Sequence, residues 1–494
     1  MGCGMHHRMT AALPAPSRPS CPSSTSASPT LATLLDWMAQ QRQRPLPVAD
    51  FAAFERDLRT KMLAVEAELL GDEMRKADVD VPALEIRGTT YRRVLRCPQT
   101  YQTAAGEVQV ERTLYKDHTD GGARALCPLD LRLGVVEGRW TPMAAKQAVF
   151  LVAHLTPAHA EQTLQTLAVM TPSRSSLDRL SKATSERWEE QRAELEEALR
   201  ATVTVPDEAV TLAVSLDGVL APMKDGEAVV KREQAAAEGK LTRGPAGYRE
   251  VGVGTVSFCD AEGKTLATIR MGRMPQEKKV DLKAMLKAEV ARACELRPDL
   301  RVVKVADGAK DNWEFLHTLA PEGENILDFF HAAEHLDRAL GAAYGEGSVK
   351  ARERFATLRH VLLEQEGGVD KVIRALDHVR RSVSRGHEAV TMEVKFFRRH
   401  RSHMRYAAWQ KVGLPIGSGV VEAACKTLVT QRLKQSGMRW GHPGGQAVVT
   451  VRGWVQSERF EQAWALVAAL YRAEVTVLAN VIPLFEKPAK VASR

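Results

Sequence analysis

Two apolar runs in the second half of the chain stop on the same dipeptide. "AVTLAVSLDGV" reaches Asp217-Gly218 and "LRVVKVADG" reaches Asp307-Gly308. Each is short, rich in Val and Leu, and closed by a turn signal, the pattern of a buried strand. Between them "REVGVGTVSFCD" and "KTLATIRMGRM" read as two further strands joined through "DAEGK", and "EKKVDLKAMLKAEVARACEL" reads as a helix. "NILDFF" supplies a fifth strand that reaches Asp328. The predicted order is β-β-β-α-β-α-β-α. In that order the first and fourth strands can lie side by side and parallel, which predicts an α/β fold around a mixed sheet.

Taken singly, each Asp-Gly is ordinary turn chemistry. Taken together, they place two carboxylates at the carboxyl ends of neighbouring parallel strands, where open α/β sheets bind ligands. Two adjacent carboxylates repel and favour a cation between them. Oxygen ligands alone suit magnesium, with manganese as the second choice. A third ligand is expected from the helical part of the chain. From Lys395 to Arg439 there are ten Lys and Arg residues and a single acid, Glu422. A glutamate that serves the helix dipole is the alternative. A capping box fits poorly, because Ser418 as N-cap puts Val421 at the third helical position. A metal carboxylate inside a basic, phosphate-binding surface is what two-metal phosphoryl transfer requires.

The rest of the chain frames this site. It has 494 residues, enough for several domains, and a net charge of +8, which points to a polyanionic partner. No run of 18 apolar residues exists, so no membrane span is expected. Residues 1–30 are Ser/Pro-rich and read as a disordered tail. The seven scattered cysteines show no CxxC pair and fit a reducing compartment. Residues 31–83 read as helical, with Phe51, Phe54, Leu58, Met62, Val65 and Leu69 on one face. Residues 84–140 read as a small β-hairpin region and 141–205 as helical. Within the latter, a helix ending near Leu167 precedes Thr171-Pro172, an N-cap followed by proline at the first helical position. Such a pair, with a three- or four-residue turn, is either a helix-turn-helix or an ordinary helical hairpin. In the first case Ser173, Arg174 and Ser176 would face a DNA groove. From about 340 to 410 the chain reads as an all-helical insertion.

The ordered set "SLDGV", "VADGAKDNW", "LDFFHAAEHL" and "LPIGSGVVEAACKTLVTQRLKQSGMRW" resembles bacterial insertion-sequence transposases of the Kra type, with mutator-like features. The resemblance runs from Asp217 to about Trp464. It implies a ribonuclease H-like catalytic domain over 206–494, interrupted by the helical insertion and preceded by an α+β DNA-binding region. It implies Asp217, Asp307 and Glu422 as catalytic, metal-holding acids of a DDE triad. The implied reaction is magnesium-dependent DNA strand cleavage and strand transfer by a cytoplasmic, nucleoid-associated homo-oligomer acting on terminal inverted repeats and target DNA. Arg398, Arg399, Arg401, Lys426, Arg432, Lys434 and Arg439 would grip phosphates. Asp328 and His331 resemble the Asp/His motif that mutator-like transposases carry after the second acid, where it would orient the scissile strand; a helix-capping pair is the other reading. Relatives commonly carry paired cysteines before the "PLD" motif. Here Cys127 stands there alone with Cys97 far upstream, so no structural zinc is expected.

Two rivals remain. "HAAEH", His331 to His335, matches the H-x-x-E-H pattern of zinc peptidases, with Glu334 as base. A catalytically silent DNA-binding protein derived from a transposase would keep the basic surface without the chemistry. Trp313 is expected to pack its helix onto the sheet.

Overall fold

The computed structural model describes residues 28–478 except 118, 120–123, 168–169, 226–228, 240–246 and 385; most of the Ser/Pro-rich tail lies outside the described residues. The chain divides into two units after Leu70. In the first, α1 (Pro29–Arg42) is capped by Ser28, whose hydroxyl accepts from the Leu31 amide at 3.1 Å. The start of α2 (Phe51–Ala77) meets it through a Trp37–Phe54 ring stack at 5.2 Å. Of the predicted apolar face of α2, Phe51, Met62 and Leu69 remain exposed.

The second unit opens with a four-stranded antiparallel sheet. β1 (Ala83–Ile86), β2 (Thr89–Thr103) and β3 (Gly106–Asp117) form the predicted hairpin region, with Thr103 opposite Gly106 across the turn. Helices follow: α3 (Pro128–Leu133), α4 (Pro142–His154), α5 (Pro157–Thr166), α6 (Arg174–Glu190) and α7 (Arg192–Ala201). The start of α6 corrects the sequence reading. Ser173, not Thr171, is the N-cap, and its hydroxyl accepts from the Ser176 amide at 3.3 Å. Pro172 therefore precedes the cap, and the connection from α5 is longer than a helix-turn-helix turn. Ser173 has the extended backbone of an N-cap, φ −72° and ψ 154°, while Ser175 and Ser176 already lie inside the helix.

The predicted mixed sheet is present. β4 (Thr211–Pro222) is followed by a short helix the sequence reading did not contain, α8 (Val229–Ala237), then by β5 (Tyr248–Cys259), β6 (Thr265–Arg273), α9 (Val280–Leu296), β7 (Arg301–Ala306), α10 (Lys310–Leu316) and β8 (Glu324–Leu327). The spatial order is β6-β5-β4-β7-β8. The β4–β5 and β5–β6 pairs are antiparallel, and β4–β7 and β7–β8 are parallel. Side chains of β7 alternate between two cores: Val302 packs with Leu286, Val290 and Trp313, whereas Val303 and Val305 pack with Ile326 and Leu336. Lys304 sits fully buried in this run because its ammonium donates to the Leu319 and Ala320 carbonyls at 3.2 and 2.9 Å.

Then come α11 (Phe329–Tyr344), α12 (Val349–Glu364), α13 (Gly368–Ser382), α14 (His387–Arg399) and α15 (Tyr406–Lys411), largely the predicted helical insertion. α15 ends in a Schellman motif: Gly413 has φ 66°, its amide donates to the Gln410 carbonyl at 3.1 Å, and Leu414 donates to Trp409 at 3.0 Å. α16 (Gly419–Ala424) runs into a π-helical stretch, Cys425–Thr430, and the short α17 (Gln431–Leu433). The buried Arg452 braces that wide turn, its Nε donating to the Thr427 and Leu428 carbonyls at 3.0 and 3.1 Å. α18 (His442–Gln456) and α19 (Phe460–Leu470) pack into one core with α4–α7, through Trp188, Trp454 and Trp464 among others. The sequence reading drew a boundary near residue 205, and packing runs across it. β9 (Val475–Val477) pairs with β1 and completes the small sheet in the order β3-β2-β1-β9.

Within this shared core Glu196 on α7 is mostly buried, with Arg192 and Arg200 at 3.9 and 3.8 Å. Burial outweighs both arginines and pushes its carboxyl from 4.5 up to about 7. A raised folded pKa means the native state holds the proton more tightly than the unfolded one. Stability should therefore fall as pH rises from 4.5 to 7, by roughly 3 kcal/mol at most. Urea titrations across that range should show the loss, and Glu196→Gln should remove it.

Candidate active site

β4 and β7 run parallel with Ser215 opposite Val305, and each chain continues two residues to its aspartate. Asp307 follows the last residue of β7, whereas Asp217 lies within β4, opposite Val253 of β5, and the strand continues to Pro222. The Asp217-Gly218 pair therefore does not close its strand as the sequence suggested, because β5 keeps pairing with it after β7 has ended. The two aspartates are neighbours where β4 outruns β7. Asp217 accepts from the Gly218 amide at 2.7 Å and lies 3.7 Å from the Cys425 thiol. Burial, then the negative charge of Asp307, pushes its carboxyl above the usual range despite these bonds. Asp307 accepts from the Ala309 amide at 3.1 Å and from Asn312 at 3.2 Å. The buried Trp313 donates its indole N–H to the Asp307 carbonyl at 2.6 Å and stacks on His403, so it packs the helix, as expected.

Glu422 enters from the first turn of α16. Ser418 is the N-cap but makes no side-chain cap bond; its hydroxyl donates to Glu422 at 3.3 Å. Glu422 is exposed overall, yet partial desolvation, then the charges of Asp328 and Asp217, raises its carboxyl against that bond. Asp328 is buried and caps α11, accepting from the His331 amide at 2.7 Å and from the Ser418 amide. The capping alternative for this pair is thus observed, and Asp328 also ties α11 to the loop that delivers Glu422. The ring of Phe330, half exposed, lies over Gly417 on the same loop. The π-helical stretch begins three residues after Glu422, a distortion frequent at functional sites.

Residues that the sequence reading missed complete the site. Lys279 places its ammonium 3.0 Å from Glu250 and 3.5 Å from the Asn312 carbonyl oxygen. Asn312 in turn donates to Asp307 and, at 3.3 Å, to the Leu216 carbonyl. Asn312 stands five residues after Asp307 on the next helix, a spacing that could have marked it. Nothing local marks Lys279 or Glu250, which arrive from other elements.

The donor chemistry is that of a hard cation: carboxylate oxygens crowded enough to raise one another's affinity for a positive charge. Among the described residues no group of three or more His, Cys, Asp or Glu side chains stands close enough to hold a metal as placed. Asp217 and Asp307 are the adjacent pair, and Glu422 stands apart on a neighbouring helix, near enough for the charges of Asp328 and Asp217 to act on it.

The predicted phosphate-gripping residues separate. Lys426 lies one turn beyond Glu422 and is exposed, as are Arg399, Lys434 and Arg439. Trp440 pairs with the end of β4 through Pro222 and Lys224, which brings Lys434 and Arg439 to the strand-end side of the sheet. Arg398 and Arg401 are exposed but held by Asp377 and Asp370, each at 2.6 Å. Arg432 contradicts its assignment: it is buried beside Trp440, its guanidinium 5.3 Å from the ring centre. Its aliphatic stem and flat head suit an aromatic wall as well as a phosphate. Ser176 is likewise buried and bonded to Ser173, so it faces no groove, whereas Ser173 and Arg174 are exposed.

In "HAAEH" the two rings pack edge to face at 4.9 Å, and His335 is engaged by Glu393 at 2.5 Å and by the Phe396 ring. Cys127 is buried, its thiol pushed up to about 12 by burial and by Asp130, and Cys97 lies on β2. No helix among the described residues is long and apolar enough to cross a membrane. No protein-family model matches the chain, and no curated protein matches it in sequence.

Proposed function

We propose that the chain is a DNA transposase of the DDE class, cutting and joining DNA strands through Asp217, Asp307 and Glu422. The observation that carries the reading is the placing of Asp217, within β4, beside Asp307, just past the end of the parallel β7, with Glu422 on a helix that follows a helical insertion. The order β6-β5-β4-β7-β8, with three antiparallel strands then two parallel ones, supports a ribonuclease H-like catalytic domain. In this reading the three acids hold magnesium, and manganese in its place. When bound, the ion supplies Lewis-acid stabilisation of charge developing on the phosphoryl oxygens. The chain's own contribution is positioning. Asn312 fixes the Asp307 carboxylate, Ser418 fixes Glu422, and Lys426 puts a cation on the same helical face as Glu422. Water would cut a phosphodiester at the element end, and the freed 3′-hydroxyl would attack target DNA at the same site.

The test is strand cleavage by the purified full chain on DNA carrying the sequences that flank its gene, with magnesium. Nicking at a fixed position supports the reading. Binding without nicking under magnesium or manganese supports the silent DNA-binding alternative instead.

The exposed cations make a second prediction. Replacing Lys426, Lys434 and Arg439 by Gln should reduce the slope of log affinity against log salt by about 3, since each phosphate contact releases close to one counterion. Fluorescence anisotropy between 50 and 200 mM salt reads this. An unchanged slope would place the DNA elsewhere.

A further inference from the structure

The least expected feature of the site is its lysine. Lys278 and Lys279 are consecutive non-glycine residues at positive φ, 49° and 54°. Such backbone is costly for a side chain with a Cβ and persists where the surroundings enforce it. What it achieves is a path for one side chain. Gly252 on β5 lies opposite Gly218 on β4, the residue after Asp217. A Cβ on Gly252 would crowd Leu282 Cδ2 at 2.8 Å and would only touch the Lys279 stem, at 3.4 Å from Cγ and Cδ, so the bare glycine seats Leu282 with the lysine stem passing alongside. A Cβ on Gly218 would overlap the Glu250 carboxylate that receives the ammonium. Gly218 thus leaves the space in which Glu250 receives the Lys279 ammonium, one residue from Asp217. The Lys279 side chain is 13% exposed, and its ammonium connects through Asn312 to Asp307.

We propose that Lys279 is a built-in counter-ion of the carboxylate site that holds metal affinity down. The inference rests on the reading of Asp217 and Asp307 as metal ligands and adds a regulator to it. Before DNA arrives, the lysine offsets part of the negative charge that attracts a divalent ion. A phosphodiester entering the site brings negative charge of its own, so full metal loading is coupled to DNA. Lys279 is a positioning residue in this scheme: it sets the charge around the ligands without being one.

The experiment is calorimetric titration of magnesium, and separately manganese, into the DNA-free full chain. Lys279→Met and Lys279→Asn remove the charge, and asparagine tolerates the left-handed backbone better than lysine, which protects against a folding failure. Both should bind metal about tenfold more tightly, the effect of one charge on a divalent ion several ångströms away in a partly solvated site. Lys279→Arg keeps the charge and should stay near wild type. Lys283→Met, which removes an ammonium paired with Asp311 one turn further along α9, should change nothing. Adding a short DNA duplex should tighten metal binding in the wild type and do so less in the neutral variants. Equal affinity in wild type and neutral variants overturns the inference alone. Equal tightening in Lys279→Arg also overturns it, because packing rather than charge would then be responsible. No metal binding by any form, with or without DNA, overturns the metal reading of the acids and the inference with it.

Discussion

Asp217→Asn, Asp307→Asn and Glu422→Gln should each lower strand cleavage at least about a thousandfold, equivalent to about 4 kcal/mol of lost transition-state stabilisation, while DNA binding persists. In the proposed reading binding would rest on Lys426, Lys434, Arg439 and other exposed cations, which these changes leave in place. The three variants should differ in stability. Asp217 is partly buried and its negative charge is opposed by Asp307, so a neutral amide relieves repulsion and should leave the metal-free protein as stable or more so. Asp307 accepts from Ala309 and Asn312, and the amide weakens both bonds, costing about 1 kcal/mol. Cleavage and anisotropy assays on the same preparations, with thermal unfolding alongside, separate these effects. Near-normal cleavage by any one variant removes that residue from the site.

Gly413→Ala should destabilise the protein by about 2–4 kcal/mol. Two costs add. The residue sits at φ 66°, where alanine is strained, and a Cβ there would fall 1.8 Å from the Ala261 carbonyl oxygen in the β5–β6 turn. That oxygen belongs to backbone, so neither side can yield cheaply. The same glycine ends α15 and starts the loop that carries Ser418 and Glu422, so the damage should reach cleavage as well as unfolding. Gly419→Ala is the control: nothing lies within 4 Å of a Cβ there, and alanine is the better helix former. Chemical denaturation of the two variants should therefore separate them clearly, and equal midpoints would refute the strained-turn account.

The central strands were legible because burial on both faces makes a strand an unbroken apolar run; Asp307-Gly308 ends its run, whereas Asp217-Gly218 does not, since β5 goes on pairing with β4 as far as Pro222. The parallel contact of β4 with β7 followed from element order alone. Residues whose role depends on register across strands were not legible. Lys279, Glu250 and the Gly218–Gly252 pair meet only after β4 and β5 have aligned, and no spacing along the chain encodes that meeting. Arg432 misled for a different reason. A guanidinium is assigned to the surface by default, yet its stem and plane pack against Trp440 once α17 turns inward. The start of α6 was misplaced by two residues because Thr171 and Ser173 are both cap formers, and only the observed bond to the Ser176 amide distinguishes them. A three-residue strand such as β9 carries no periodicity at all.

That short strand has a consequence for how the protein is made. β9 is the partner of β1, and the two join residues 475–477 to residues 83–86. A ribosome adding roughly 5–20 residues per second leaves β1 without its neighbour for on the order of 20–80 s. During that interval its amides and carbonyls form an open edge, the feature that invites pairing with another chain. A message truncated before codon 475 would never cover it. Prematurely terminated chains should therefore be sticky even when the five-stranded sheet has formed, and co-translational chaperone occupancy should peak after β1–β3 emerge and fall only once residues 475–477 have followed.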